Sequence, residues 1–234
     1  MCSSDLAPRA VIFDAGNTLI WLDHPFIVEL LREHGVETSV EALMAAEYHA
    51  KLRLDELVRS RAPGGDRVRG ETFFGEIFQR IPLPEDRIPS VAQRLWARHA
   101  ERNLWCNVRE RTAETLEELR RRGYRLAVIS NADGRAESVL EAAGLLPHLE
   151  FVIDSALVGV EKPDPRIFHM ACERLGVAPE DAVYVGDIYE IDVVGARAAG
   201  MRAILVDPLW RWGDFDCERI RAIHELPQLL EPAA

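Results

Sequence analysis

The rhythm of apolar and polar positions changes twice along the 234-residue chain. Arg9–Phe13 (RAVIF) is a β-branched, apolar run that stops at Asp14 and the turn-forming Ala-Gly-Asn-Thr. That is the pattern of a buried strand closing in a tight loop. From His24 to Asn103 the pattern is helical: Phe26–His34 stops at Gly35, and a long segment opens at Ser39 and runs to about Ser60. Gly64–Gly65 breaks it, Glu71–Arg80 comes next, and Pro82 and Pro84 separate that from Ile88–Arg102.

Beyond Asn103 helices and strands alternate. Helices are predicted over Thr112–Arg122, Arg135–Ala143, Pro165–Leu175 and Asp192–Ala199, each stopping at a glycine. Strands are predicted over Tyr124–Ser130, Phe151–Asp154, Ala182–Val185 and Arg202–Val206. Near-continuous apolar strands alternating with helices imply a parallel sheet covered on both faces. The expected fold is therefore α/β, a doubly wound parallel sheet. Residues 1–20 and 105–234 form the core, and an all-helical cap is inserted at 21–104.

Ligands of such sheets bind beyond the carboxyl ends of the strands. Asp14, Ser130–Asn131, Gly186–Asp187 and the loop reaching Lys162 all come directly after strands, so the topology gathers them in one crevice. Carboxylates, a lysine and a hydroxyl at one sheet edge suit phosphoryl transfer. A carboxylate can attack phosphorus, an oxygen-bound Mg²⁺ can neutralise the dianion, and an ammonium can hold its oxygens. On this reading Asp14 is nucleophile and metal ligand, and Asp187 and Asp192 complete the metal site. Lys162 neutralises Asp14 and the phosphoryl group, and Ser130 donates a hydrogen bond. Asp192 also stands where a helix dipole alone favours an acid, and Ser130 where it could cap a helix. Asn131 contributes a main-chain N–H, its side chain orienting the loop. Asp164, between two prolines, is expected to cap its helix.

Composition narrows the picture. Against 28 Lys+Arg stand 39 Asp+Glu, a net charge of −11 that disfavours nucleic acid and anionic lipid as partners. No apolar run reaches the length of a membrane span. The N-terminal segment is too short and polar for a secretory signal, and Cys2, Cys106, Cys172 and Cys217 form no CxxC pair. A cytoplasmic protein with reduced thiols is the expectation. Lys51 and Lys162 are the only lysines, which makes a lysine in this constellation more noteworthy.

Asp14-Ala-Gly-Asn-Thr-Leu19, Ser130–Asn131, Lys162-Pro-Asp-Pro165 and Gly186-Asp-Ile-Tyr-Glu-Ile-Asp192 resemble, in order, the four motifs of the haloacid dehalogenase-like (HAD) hydrolases. Val193–Met201 matches the tail of the last. The resemblance runs from about Ala10 to Asp207, the cap matching only in position and helical character. It implies a Mg²⁺-dependent phosphatase of the helical-cap subgroup acting on a small phosphorylated metabolite. It also implies metal ligation by Asp14, the Gly16 carbonyl and Asp187, with Asp192 direct or through water. Gly16 departs from the family, whose phosphatases place their general acid there, a group worth roughly 10²–10⁴ in rate. An acidic leaving group, a cap residue such as His24 or His49, or the substrate itself could stand in. The alternatives are a catalytically weak binding or regulatory protein, a dehalogenase that expels halide without a proton, and a phosphonatase-type hydrolase needing a cap lysine, here Lys51. Trp21, just past the first motif, is a candidate for lining the substrate cavity.

Overall fold

The computed structural model describes residues 9–60, 66–213 and 215–230. Cys2, the N-terminal segment and Gly64–Gly65 lie outside the described residues. The chain divides into two compact units, one of Met1–Trp21 with Val108–Ala234, the other of Leu22–Asn107.

The first unit is built on six parallel strands in the order β5-β4-β1-β6-β7-β8. These are β1 (Ala10–Phe13), β4 (Arg125–Ser130), β5 (Val152–Asp154), β6 (Ala182–Gly186), β7 (Arg202–Val206) and β8 (Glu218–Ile220). Every residue of β1 and β6 is buried, as central strands covered on both faces require. From β1 the chain winds outward to β4 and β5, then returns to β6 on the other side of β1 and winds the opposite way. The order reverses between β1 and β6, whose registers match from Ala10↔Ala182 to Phe13↔Val185. Asp14 and Asp187 come directly after these two strands, at the switch point where such sheets bind ligands.

The second unit is helical: α1 (His24–Glu33), α2 (Val40–Arg59), α3 (Asp66–Arg80) and α4 (Ile88–Arg102). The Asp23 side chain caps α1, with Pro25 in its first turn, and Ser39 caps α2 through Ala42 N. Phe73, Phe74, Trp96 and Trp105 form a chain of ring contacts with centroids 5.4–6.0 Å apart.

Three strands escape the sequence pattern. β2 (Ile20–Leu22) and β3 (Trp105–Val108) form a separate two-stranded sheet, and β8 is a polar edge strand. With three or four residues each, none is long enough to show a period. The predicted helix Asp192–Ala199 instead begins as a wide π-type turn over Tyr189–Val194 and continues as a short α-helix, Gly195–Ala198. Among the described residues no helix is long and apolar enough to cross a membrane.

Candidate active site

Asp14 comes directly after β1, its N–H donated to the Val185 carbonyl at 2.8 Å, so the ladder with β6 fixes its backbone. The turn after it is closed by the Ala15 carbonyl, which accepts from Leu19 and Ile20, each at 3.0 Å. Asn17 takes a left-handed conformation, φ 54°, and Gly16 bridges to Ile20. Turn closure therefore draws on Ala15 rather than on the Gly16 carbonyl.

Lys162 is the hub of the site. It is 1% exposed, and its ammonium donates to Asp14 Oδ1 (2.6 Å), Asp192 Oδ1 (2.7 Å) and Tyr184 Oη (2.8 Å). An ammonium has three N–H groups, so all are committed inside the protein. Asn131 holds the lysine's backbone at both ends: its Oδ1 accepts from Lys162 N at 2.8 Å, and its Nδ2 donates to Lys162 O at 3.0 Å. The Asn131 side chain thus sets the loop, leaving its main-chain N–H as the group to offer a ligand.

Asp192 is committed on both oxygens. Besides receiving Lys162 on Oδ1, it accepts the N–H groups of Asp187 (3.0 Å) and Ile188 (2.9 Å) on Oδ2. This folding-back accounts for the wide turn over Tyr189–Val194. It also accounts for Gly186, where an added Cβ would lie 2.3 Å from Asp192 Cγ. Gly195 has a similar origin, since a Cβ there would meet the Phe168 ring at 2.9 Å and the Pro163 Cα at 3.0 Å.

The electrostatics arise from burial. Burial raises Asp14 against the attraction of Lys162, and Asp192 and Asp187 add to the rise, bringing it to about 7. Burial would lower Lys162, but Asp14 and Asp192 more than offset it and hold the ammonium well above the ordinary lysine range. Burial also pushes the Tyr184 hydroxyl well up, so it is a neutral partner.

Among the described residues no group of three or more His, Cys, Asp or Glu side chains forms a metal cage. The groups that the sequence assigns to a cation besides Asp192, namely Asp14, Asp187 and the Gly16 carbonyl, are all hard oxygen donors. That set fits Mg²⁺, which takes one or two carboxylates and completes its shell with water and substrate oxygens.

Ser130 ends β4 in register with Asp154 of β5. Nothing in the sequence marks Asp154 as structural rather than chemical. It ends its strand much as Asp14 ends the first, but its oxygens accept from Gly134 (3.0 Å), Ala136 (3.1 Å) and Ala156 (3.0 Å). The Ser155 hydroxyl accepts from Ala132 N at 3.2 Å, so the pair holds the loop carrying Asn131. Asp164 caps the helix Pro165–Leu175 through Arg166 N, as its position between prolines suggests. Tyr184 also escapes sequence reasoning, being one apolar-looking position in a buried strand. Trp21 is buried beneath the Arg109 guanidinium, 3.1 Å from its ring centroid.

In the helical unit His24 Nε2 lies 2.6 Å from Glu47 Oε2, and Lys51 Nζ lies 3.6 Å from Glu47 Oε1, all three side chains being buried. His49 is exposed. A Schiff-base lysine must be a neutral amine, so an ion-paired Lys51 lends nothing to the phosphonatase-type alternative.

Comparison with known proteins agrees with this architecture. Residues 8–200 match the haloacid dehalogenase-like hydrolase family. Haloacid dehalogenase-like hydrolase domain-containing protein 3 of Bos taurus is 34% identical over 205 residues, covering 85% of this chain and 81% of that protein. A glyceraldehyde 3-phosphate phosphatase of Methanothermobacter thermautotrophicus is 33% identical over 204 residues, covering 85% of each. A crystal structure of a dehalogenase with an intermediate complex superimposes with a TM-score of 0.72 at 25% identity, covering 98% of this chain and 99% of that one. With its motif residues at the carboxyl ends of a doubly wound parallel sheet, the chain belongs to the haloacid dehalogenase-like hydrolases.

Proposed function

We propose that the protein is a Mg²⁺-dependent phosphatase acting on a small phosphorylated metabolite through an aspartyl-phosphate on Asp14. The observation that carries this reading is the buried Lys162 ammonium clamped between Asp14 and Asp192 at 2.6 and 2.7 Å. It orients the nucleophile and offsets part of its charge beside an incoming dianion. The likeness to a glyceraldehyde 3-phosphate phosphatase over most of the chain supports the same class of substrate.

In this mechanism Asp14 attacks phosphorus with the oxygen that Lys162 does not hold. The Ser130 hydroxyl and the Asn131 main-chain N–H bind phosphoryl oxygens, while Lys162 acts mainly through Asp14. Asp14, Asp187 and the Gly16 carbonyl would hold Mg²⁺, whose charge neutralises the phosphoryl oxygens. Asp192 supports the site from behind by fixing Lys162 and the Asp187–Ile188 backbone. Gly16 cannot protonate a leaving group, so the preferred substrates are those whose leaving groups need little protonation, such as acyl phosphates and activated esters.

The test is hydrolysis of p-nitrophenyl phosphate with and without Mg²⁺. Wild type is expected to be active only with the metal, Asp14→Asn inactive, and Gly16→Asp improved on less activated esters. A metal-independent or Asp14-independent rate refutes the proposal. A dehalogenase is the second reading, favoured by Gly16 and by the likeness to a dehalogenase structure. Halide released from a 2-haloacid without Mg²⁺ would establish it.

A further inference from the structure

Tyr184 is buried at the centre of the sheet, in β6, 0% exposed and opposite Ile12 of β1. Its ring packs edge-on against Phe168 with centroids 4.9 Å apart, and its hydroxyl faces two partners. It accepts from Lys162 Nζ at 2.8 Å and donates to the Ile129 carbonyl at 3.3 Å. A hydroxyl at the centre of a dry sheet is costly unless bonded, and a phenylalanine would fill the same space without that demand. Tyr184 therefore needs a reason in what it bonds.

We infer that Tyr184 is a positioning residue: it takes the third N–H of the Lys162 ammonium, so that the other two stay on Asp14 and Asp192. Three observations support this. The ammonium has three donors and finds three acceptors, each a different side chain. The third acceptor is neutral, so it completes the shell without adding a fourth carboxylate to Asp14, Asp187 and Asp192. The hydroxyl is itself anchored on Ile129, the residue before Ser130. It thus ties the lysine to the β4 end that carries Ser130 and Asn131. Without the hydroxyl, one N–H of a buried ammonium has no acceptor, and the lysine must rotate or draw water inward. Either response loosens its hold on Asp14. The effect on turnover rests on the phosphatase reading; the arrangement of the ammonium does not.

Because Lys51 and Lys162 are the only lysines, protein labelled with ¹⁵N at the lysine Nζ shows both ammonium groups separately, and Lys51→Arg assigns them. In wild type the Lys162 ammonium is expected to exchange slowly with water. In Tyr184→Phe its signal should shift and its exchange quicken at least about tenfold, the scale set by losing one hydrogen bond to a charged group. Phe168→Leu loosens packing on the same ring while keeping the hydroxyl, and should leave that signal in place. Where wild type hydrolyses p-nitrophenyl phosphate, Tyr184→Phe should lower kcat about tenfold and change KM less than about twofold. An unchanged Lys162 signal in Tyr184→Phe overturns the inference, as does an unchanged kcat. If wild type shows no phosphate turnover, the phosphatase reading falls, and the ammonium spectrum alone decides the role of Tyr184.

Discussion

Gly186→Ala tests the packing on which the site depends. The new Cβ would lie 2.3 Å from Asp192 Cγ and 2.6 Å from its Cβ and Oδ2, so the carboxylate must move. Overpacking of this kind costs about 1–3 kcal/mol. Asp192 also holds the N–H groups of Asp187 and Ile188 and the Lys162 ammonium, charge-assisted bonds of about 1.5–3 kcal/mol each. If one of them is lost, the substitution destabilises by about 2.5–6 kcal/mol. Asp192→Ala alone should cost a similar amount, because it leaves a buried ammonium short of countercharge. It also empties the space into which an alanine at 186 would project. The double variant should therefore be more stable than the sum of the single effects by about 2 kcal/mol or more. Urea denaturation of the four proteins measures this coupling, read as midpoint shifts at constant slope. Additive costs, within about 0.5 kcal/mol, would refute the reasoning.

Asp14, raised to about 7 chiefly by burial, is protonated below that pH and a carboxylate above it. Mg²⁺ affinity should therefore fall about tenfold per pH unit below 7 and level off above, as proton and metal compete. Calorimetric titration between pH 5.5 and 8 checks this, and a flat profile would count against Asp14 as a ligand. The same shift means the folded state keeps a proton that the unfolded chain loses near 3.8. Its stabilising contribution is full at low pH and is lost as pH rises through 7. Asn131→Ala removes both bonds to the Lys162 backbone. It should lower kcat about tenfold and stability by roughly 1–2 kcal/mol, by steady-state kinetics and denaturation. Burial pushes the Cys172 thiol up to about 11, so at pH 8 it should react with a disulfide reagent only after unfolding. Rapid labelling of Cys172 in native protein would contradict its packing.

Much of the fold and the site is legible in the sequence because buried parallel strands are written as short apolar runs, and the residues just beyond each run lie at one edge of the sheet. That rule finds Asp14, Asp187 and the loop that reaches Lys162, whereas Asp192, inside the turn Tyr189–Val194, is singled out by the chemistry of a metal site and by the motif resemblance. The same rule does not separate a chemical aspartate from a structural one. Asp154 and Asp207 also stand at or just beyond strand ends, but they accept backbone N–H groups, Asp207 those of Arg211 and Trp212, each at 3.1 Å. Only the hydrogen-bond partners, set by the folded chain, distinguish the two kinds. Tyr184 is hidden for a related reason: in a buried strand a tyrosine reads as one more large apolar residue until its hydroxyl finds a lysine 22 positions away. Asn131 is visible as a motif residue, but its grip on both ends of the Lys162 backbone depends on a loop 31 residues on. The edge strand β8 carries no signal, since Glu-Arg-Ile has neither the length nor the alternation of a strand.

Central to the proposed mechanism is the covalent phosphorylation of Asp14. Protein quenched in acid during turnover of a phosphate ester, then reduced with borohydride, would carry homoserine at position 14 if an acyl phosphate had formed there. Peptide mass spectrometry should find that conversion at residue 14 only when both Mg²⁺ and substrate are supplied, and not in protein lacking either. An unmodified Asp14 in samples quenched while the alcohol product is released in a burst, ahead of phosphate, would contradict that chemistry.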